Sequence, residues 1–193
     1  MAEAKTLNVK KKSVDFATIF NDVEEVYFYE GEELTSSKIA TGVDVIELPV
    51  VGDGVTFNTG DPSVTQIKLT TEKIWTSKAT KGDSDISFNV PSLDGEINSL
   101  FMHKKDLETL ADGFTLNGTS YKANAFNLSP KKVTGALILP SNDKAITVIL
   151  VKVEMYASLV LADNNNPAYF SVKVTPLESS EGVEVLIAEK SAA

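Results

Sequence analysis

The residues most capable of metal or acid–base chemistry are two closely spaced aspartates, Asp83 and Asp85, within KGDSDISFNV. Paired carboxylates bind hard cations such as Ca²⁺, but a calcium loop needs further oxygen ligands, and no Glu or Asn follows at calcium-loop spacing. Residues 52–54 (GDG) and 60–62 (GDP) raise the same question, although Gly, Asp and Pro are also the residues that turns require. We therefore interpret all four aspartates as turn residues and predict no metal site.

Nucleophilic and general-base catalysis have few candidates in this sequence. His103 is the only histidine, and a general base needs a nucleophile within hydrogen-bond reach and a partner that orients it. Ser129 and Lys132 have Ser-x-x-Lys spacing, but that pair works when a helix places both on one face, and here Pro130 follows a β-type segment. The sequence therefore predicts no catalytic residues, no cofactor and no enzyme.

Aromatic side chains are the remaining candidates for ligand binding. Exposed Trp and Tyr rings could line a platform for a sugar, although packing in a core or an interface is the commoner role of such residues. A carbohydrate-binding or adhesin-type β-sandwich is therefore the alternative function. The aromatic residues concerned are Trp75, Tyr27, Tyr29, Tyr121 and Tyr169.

Composition and charge limit the possible partners. The chain has 193 residues with 27 acidic and 18 basic side chains, which gives a formal net charge of −9. Proteins bind duplex nucleic acid through Lys and Arg that displace counterions from phosphates, so this balance argues against DNA binding. The length suits one domain, residues 1–193, with a core of its own. Cysteine is absent, which excludes disulfides and Cys-ligated zinc.

No stretch of the sequence has the pattern of a signal peptide or a membrane-spanning helix. The beginning, MAEAKTLNVKKKSVDF, lacks the apolar run of about 7–15 residues found in a signal peptide. The longest apolar runs, 136–140 and 145–151, are far shorter than the roughly 20 residues that cross a bilayer. We expect a protein made in the cytoplasm that is not bound to a membrane. Residues 1–24 are polar, with a lysine run at 10–12, and predict an N-terminal arm.

Most of the chain after residue 24 has the pattern of half-buried antiparallel strands. Short β-branched and aromatic segments alternate apolar and polar residues and are separated by Gly, Pro, Asn and Asp. In DISFNV, for example, Ile86, Phe88 and Val90 fall on one face. The pattern predicts a mainly β fold, an antiparallel sandwich or barrel. The predicted strands are residues 25–30, 43–51, 55–58, 64–75, 85–90, 114–126, 133–140, 145–161, 168–177 and 183–190.

One segment has helical spacing instead. Across residues 92–112, apolar side chains recur every three or four positions, Ser92 suits an N-cap, and acidic residues suit the positive end of the helix. Pro91 ends the preceding strand. The spacing predicts a flanking helix over about residues 92–112, continuous or divided into two short helices near His103.

Two of the β segments carry more specific predictions. Asn117-Gly118 is the best hairpin turn in the sequence, because both residues accept the positive φ of a type I′ turn. The segment from Ala145 to Leu161 is unusually long for one strand. It is interpreted as one long strand, as two strands that meet at a bend, or as a strand followed by a helix.

The order of elements between residues 43 and 112 is distinctive. A strand and a glycine-rich loop precede a long hairpin that ends at Gly82-Asp83. An Ile-x-Phe-x-Val-Pro strand then covers Ile86–Pro91, and a helix follows directly, within IWTSKATKGDSDISFNVPSLDGEINSLF. This arrangement resembles the major tail tube proteins of tailed bacteriophages. Outside this span the resemblance is in length, β content and arm-like termini.

The resemblance implies a virion structural protein rather than an enzyme. Members of this family have a β-sandwich or barrel with one flanking helix and assemble into hexameric rings. The rings stack into a hollow tail tube, contact other tail proteins and let DNA pass without specific binding, and no small-molecule ligand is expected. The acidic composition agrees with such a conduit, because a negative lumen repels phosphate. The expected location is the virion tail, after synthesis in the host cytoplasm.

The resemblance also places an inter-ring loop at residues 49–62. The glycines of this loop give it flexibility, and four of its apolar residues would contact a neighbouring subunit. The alternative is an ordinary β-hairpin buried within the same subunit. Which residues face the lumen is not predicted. The four predicted contact residues are Val50, Val51, Val55 and Phe57.

Overall fold

The computed structural model of the protein describes residues 20, 23, 25–68, 70, 74–91, 95–107, 113–161 and 167–190, and only the backbone of 51–53 and 75. Most of the predicted N-terminal arm (1–24) and the predicted N-cap Ser92 lie outside these ranges. The elements in chain order are β1 (Glu25–Glu30), α1 (Ser36–Thr41), β2 (Ile46–Pro49), β3 (Val51–Asn58), β4 (Ser63–Lys68), β5 (Ile74–Thr80), β6 (Asp85–Pro91), α2 (Gly95–Phe101), β7 (His103–Lys105), β8 (Phe114–Leu116), β9 (Thr119–Tyr121), β10 (Ala125–Asn127), β11 (Val133–Pro140), β12 (Ile146–Val160), β13 (Tyr169–Pro176) and β14 (Val185–Glu189).

The main sheet contains strands in the order β2-β1-β11-β12-β13-β6-β3, and all neighbours are antiparallel. The fifteen-residue strand β12 pairs along one edge with β11. Its other edge pairs with β14 from Ile146 to Leu150 and with β13 from Val153 to Val160. Three two-stranded ribbons accompany this sheet among the described residues, namely β4–β5, β7–β10 and β8–β9. The mainly β, sandwich-like fold predicted from the sequence is confirmed.

A β-bulge in β12 separates the part that pairs with β14 from the part that pairs with β13, while β12 remains one continuous strand. Between the pairs Gly135–Val153 and Leu137–Leu150, β11 has one residue and β12 has two. An extra residue in one strand increases its twist and shifts the alternation of its side chains. Residues facing the core are therefore even-numbered before the bulge and odd-numbered after it. These residues are Val148, Leu150, Val153, Met155, Ala157 and Leu159.

The core lies between the inward faces of the main sheet and helix α2. In β6 the alternation predicted from the sequence holds, because Ile86, Phe88 and Val90 are all buried. Helix α2 contributes Phe101, whose ring centroid lies 5.3 Å from that of Phe170 in β13. Burial of these large apolar surfaces holds the helix against the sheet.

The helix is shorter than the one predicted over residues 92–112. Helix α2 ends at Phe101, and His103–Lys105 form strand β7, which pairs with β10. The prediction of helix at these three residues is wrong, because backbone pairing with another strand overrides a local preference for helix. Residues 108–112 lie outside the described part of the chain.

The other differences from the predicted elements have local causes. Helix α1 was not predicted, because six residues are too few to show helical periodicity. The segment predicted as one strand at 64–75 is instead the hairpin β4–β5, whose turn carries no Gly or Pro to mark it. The predicted turn at Asn117-Gly118 is confirmed: both residues have positive φ, 50° and 79°, and they join β8 to β9.

Candidate functional site

A projecting β-ribbon, β4–β5, is the main candidate for a functional surface. In the main sheet, β3 pairs with β6 as far as Asn58 opposite Asp85. The chain between these two strands continues as the ribbon, with Ser63 opposite Thr80. The four strands therefore form one long hairpin, whose inner half belongs to the sheet and whose outer half leaves it. Six residues of strand extend about 20 Å.

Every described side chain of the ribbon is exposed to solvent. These side chains include the apolar residues Val64, Ile67 and Ile74, which are 57%, 48% and 56% exposed. An isolated two-stranded hairpin is only marginally stable in water and gains stability from a third strand or from packing on an apolar surface. The ribbon therefore has the properties of a surface that a partner would complete.

The ribbon also differs in charge from the rest of the protein. Its strands contain Lys68 and Lys78 and no acidic residue, in a chain with a net charge of −9. Lys81, just after the ribbon, forms an ion pair with Glu184 and so ties its base to the loop before β14. Complementary charge guides association, so an acidic surface suits this ribbon as a partner.

Two glycines form the neck at which the ribbon leaves the sheet. A Cβ atom on Gly60 would lie 2.2 Å from the carbonyl oxygen of Asp83, and one on Gly82 would lie 2.3 Å from that of Asp61. Gly60 also has a φ of +78°, which favours glycine, and its N–H donates to the side chain of Asn58 at 2.8 Å. The close backbone approach at the neck depends on the absence of side chains.

A pair of reciprocal hydrogen-bonded clamps joins the loop after β1 and the start of α1 to the loop between β13 and β14. The carboxylate of Glu181 accepts hydrogen bonds from the backbone N–H of Ser36 at 3.0 Å and from its hydroxyl at 2.6 Å. In the opposite direction, Glu33 accepts from the backbone N–H of Ser180 at 3.0 Å and from its hydroxyl. Lys152 Nζ lies 3.7 Å from Glu33. The clamps fix the loop that also holds Glu184.

The clamps make stability depend on pH. The hydroxyl and N–H of Ser180 lower the pKa of Glu33 below its usual 4.5, and those of Ser36 lower the pKa of Glu181. A carboxyl whose pKa is lower in the folded protein stabilises it above the unfolded pKa, and this contribution disappears as the pH falls through the folded pKa. We expect E33Q/E181Q to melt at a lower temperature than the wild type at pH 7, and we expect this difference to shrink as the pH falls below 4.5. Thermal melts across this pH range measure this, and a difference independent of pH would contradict it.

Two of the aspartates singled out in the sequence, Asp83 and Asp85, lie in the hairpin region. Asp83 belongs to the neck, where its backbone carbonyl faces Gly60, and Asp85 is the first residue of β6. Both side chains are exposed. In the described ranges, no three His, Cys, Asp or Glu side chains are grouped closely enough to hold a metal ion.

The residues considered for catalysis have structural contacts. His103 is exposed and starts β7 opposite Asn127. The N–H of Ser129 donates to the side chain of Asn127 at 2.9 Å, which closes a local turn. The ammonium of Lys132 pairs with Glu154, and this contact raises the pKa of Lys132. These contacts give each residue a role in the fold.

The aromatic residues considered as a sugar platform lie on separate elements. Tyr121 stacks on Phe114 in the exposed hairpin β8–β9, with ring centroids 5.4 Å apart. The hydroxyl of Tyr27 donates to Glu25 at 2.9 Å. Tyr121 therefore belongs to an exposed aromatic pair, whose other ring, Phe114, was not in the predicted set. The other members belong to β1 (Tyr29), β13 (Tyr169) and β5 (Trp75, of which only the backbone is described).

The predicted inter-ring loop, residues 49–62, contains strand β3 of the main sheet. Val50 and Val55 are half-buried and pack against the core, whereas Phe57 is 38% exposed. The side chain of Val51 lies outside the described part. Strand β3 thus pairs with β6 within one subunit, as in the alternative of an ordinary β-hairpin. Contact of the four residues with a neighbouring subunit stays a prediction.

The β4–β5 ribbon was not among the surfaces predicted from the sequence. The segments SVTQIK and IWTSKAT have polar residues on both faces, so neither face is apolar enough for burial in the same chain. That two-sided polarity was the available signal for a projecting ribbon.

The fold and its surfaces define a mainly β protein with a β-ribbon that projects from the sheet. No helix in the described ranges is long and apolar enough to cross a membrane. No protein-family model matches the chain, and no curated protein does. Among solved structures, the chain is similar to the cap that terminates the tube of the anti-feeding prophage, solved by electron cryo-microscopy. The TM-score is 0.43 and the identity 8%, over 95% of this chain and 100% of that chain. A likeness at this level does not establish a shared function.

Proposed function

We propose that this protein is a structural subunit of a phage tail tube, which assembles with copies of itself into stacked hexameric rings. The observation that carries the proposal is the β4–β5 ribbon. Its described side chains are all exposed, three of them are large and apolar, and such a hairpin needs a partner for stability. A second copy is a suitable partner, because its net negative charge complements the lysines of the ribbon.

The edges of the main sheet offer further surfaces for self-assembly. The path of paired strands ends at β2 and β3, and β14 has β12 as its neighbour within the described residues. Unpaired strand edges readily pair with strands of other chains. β14 also exposes Ile187, which is 69% accessible. In a ring, each subunit contacts its two neighbours through different surfaces, and such contacts close when the rotation between subunits fits.

The acidic composition supports a conduit that DNA passes through without binding. Six copies of a chain with a net charge of −9 would give each ring a strongly negative potential, which repels phosphate. The sequence resemblance to tail tube proteins over residues 43–112 supports the same role. In this proposal the protein has no enzymatic activity and no cofactor, and it contacts other tail proteins in the virion.

Removing the ribbon should abolish assembly and leave the main sheet folded. The variant replaces Ser63–Thr80 with an Asn-Gly turn, which the neck allows because its two chain segments are already in close contact. We expect rings or tubes of six-fold symmetry from the concentrated full chain and monomers from the variant. Negative-stain microscopy and mass measurement test this. Circular dichroism should show that the variant remains a β protein.

Point substitutions separate the apolar contact from the presence of the ribbon. Val64, Ile67 and Ile74 changed together to Thr keep a good strand former at each position and should also prevent assembly. The matched control changes three exposed leucines outside the ribbon to Thr and should assemble normally. If the wild type stays monomeric at every concentration and its melting temperature rises with sugars, the carbohydrate-binding alternative, through the Phe114–Tyr121 pair, would replace the proposal. The three control leucines are Leu116, Leu128 and Leu161.

A further inference from the structure

Strand β14 has an open edge in the described part of the chain, where it pairs with β12 alone. The N–H of Lys190 donates to the carbonyl of Ala145 at 2.8 Å. At the other end of the strand, the carbonyl of Glu184 accepts from the N–H of Val151 at 3.2 Å. Successive residues of an antiparallel strand direct their backbone groups to opposite edges, so the odd-numbered residues of β14 direct their N–H and C=O groups to the open edge. These residues are Val185, Ile187 and Glu189.

The side chain of Ile187 extends the apolar face of the sheet beyond the core. Ile187 lies opposite Val148 in β12, and residues that face each other across two strands share one side of the sheet. Val148 and Val185, which are on that side, pack against the core. Ile187 is nevertheless 69% exposed. A further strand at the open edge would bring side chains over it.

The β4–β5 ribbon matches this edge in length, charge and polarity. Strand β4 has six residues and β14 has five. β4 carries Lys68 and no acidic residue, whereas β14 carries Glu189 and no basic residue, so the two strands attract each other. Val64 and Ile67 are 57% and 48% exposed and lie on opposite faces of β4, because side chains alternate along a strand. Whichever way β4 runs beside β14, one of the two therefore lies on the side of Ile187.

The ribbon begins beside β14 of its own subunit but does not pair with it. Lys81, just after the ribbon, forms an ion pair with Glu184, just before β14. Even so, β5 pairs with β4 alone in the described ranges, and every described side chain of the ribbon is exposed. β4 continues β3, the last strand on its side of the main sheet, so the outer edge of β4 is directed away from its own β14. That edge is therefore accessible to a second copy.

We propose that the outer edge of β4 pairs with the open edge of β14 in a second copy of the chain. Backbone hydrogen bonds join the two strands, as in other cases of strand addition to a sheet edge, and an apolar side chain of β4 covers Ile187. Because the two surfaces differ, each copy contacts one neighbour through its ribbon and another through its β14. This inference rests on the proposed self-assembly and specifies the two surfaces that meet.

Two variants that each lack one surface test the contact by mixing. Ile187→Pro removes an N–H that points to the open edge and keeps the hydrogen bonds to β12. The ribbon variant has Val64, Ile67 and Ile74 changed to Thr. We expect each variant alone to stay monomeric and the mixture to form heterodimers, at least about ten-fold tighter than either homodimer. Native mass spectrometry, with heavy nitrogen in one variant, identifies the pairs.

The size of the mixed species is itself informative. One intact ribbon and one intact edge remain in the mixture, so assembly should stop at two copies. A mixture as monomeric as the separate variants would overturn the proposal. Homodimers of Ile187→Pro would overturn it as well, because they would show ribbons that bind each other.

A second edge variant covers the effect of proline on the fold. Ile187→Lys keeps the backbone N–H, removes the apolar side chain and repels the lysines of the ribbon. It should give the same heterodimers with the ribbon variant and none alone. The matched control is Leu161→Lys, at a residue that is 75% exposed, and it should assemble like the wild type. Normal assembly of Ile187→Lys would contradict the proposed contact.

Cross-linking shows which copy supplies the ribbon, because the chain has no cysteine of its own. Gln66→Cys and Ala188→Cys are placed together in one chain, at exposed positions of β4 and β14 that leave the apolar residues unchanged. With a short bismaleimide we expect links between residue 66 of one copy and residue 188 of another, seen as dimers and larger species by denaturing electrophoresis. Peptide mass spectrometry maps the links. Links within one chain as the main product would place the ribbon on β14 of its own subunit and overturn the proposal.

The results also separate this contact from the proposed rings. Heterodimers from the mixture, without rings from the wild type, would support the contact and contradict the hexameric tube. Rings that persist in Ile187→Pro and Ile187→Lys would support the tube and overturn the contact between β4 and β14.

Discussion

Replacing Phe170 with Ala is expected to lower the free energy of unfolding by about 3–5 kcal/mol, the range found for removal of a buried Phe ring. Phe170 is 1% exposed, and its ring lies 5.3 Å from that of Phe101 in an inclined aromatic contact. The substitution leaves a cavity at the point where helix α2 packs against β13. In a chain of this size, the melting temperature should fall by about 10 °C. Denaturant titration and thermal melting measure both quantities.

Two further variants show whether the loss comes from this contact. Leu161 is 75% exposed, so Leu161→Ala should change stability by less than about 0.5 kcal/mol. Phe101→Ala removes the other ring, and its effect should be less than additive with that of Phe170→Ala, because the two side chains touch. Additive losses would show that α2 is held by other contacts. A loss below about 1 kcal/mol at Phe170 would contradict the packing described for this core.

Replacing Gly82 with Ala is expected to displace the β4–β5 ribbon and prevent assembly while the main sheet stays folded. The new Cβ would lie 2.3 Å from the carbonyl oxygen of Asp61, and real Cβ atoms essentially never approach within 3.0 Å. The clash is with backbone, so the two sides of the neck must separate. Forced overpacking of this kind costs about 1–3 kcal/mol. Hydrogen exchange in residues 63–80 and ring formation by microscopy are the measurements.

The glycines of the chain provide controls for this prediction. Gly60→Ala combines a clash of 2.2 Å with a positive φ, so its effect should equal or exceed that of Gly82→Ala. Gly42→Ala has a similar φ of +82° but nothing within 4 Å of the new Cβ, so it should reduce stability through backbone strain alone, by about 1–3 kcal/mol, without affecting assembly. Normal rings from Gly82→Ala would show that the direction of the ribbon is unimportant. Ring loss in Gly42→Ala would show that assembly is sensitive to general destabilisation.

Predictions from the sequence succeeded where a local rule and the tertiary structure agree. The alternation of Ile86, Phe88 and Val90 predicted a strand with one buried face, and this face packs in the core. The dipeptide Asn117-Gly118 correctly predicted a turn, because Asn and Gly readily adopt the positive φ values that this turn requires. The helix over residues 92–112 was predicted too long, because pairing of β7 with β10 depends on contacts between distant segments. Local spacing carries no information about such pairing.

Composition and local patterning are enough to predict the β character of the protein, its acidic charge and the buried face of strand β6. These properties depend on the composition and on the alternation of side chains along each strand. Contacts between distant segments place residues 51–58 in the main sheet and make the next hairpin leave it. That outcome depends on the neck, where Gly60 and Gly82 let two backbone segments touch. It also depends on β6 pairing with β3 on one side and β13 on the other. Both are contacts between segments far apart in the chain, so no short stretch of sequence specifies them.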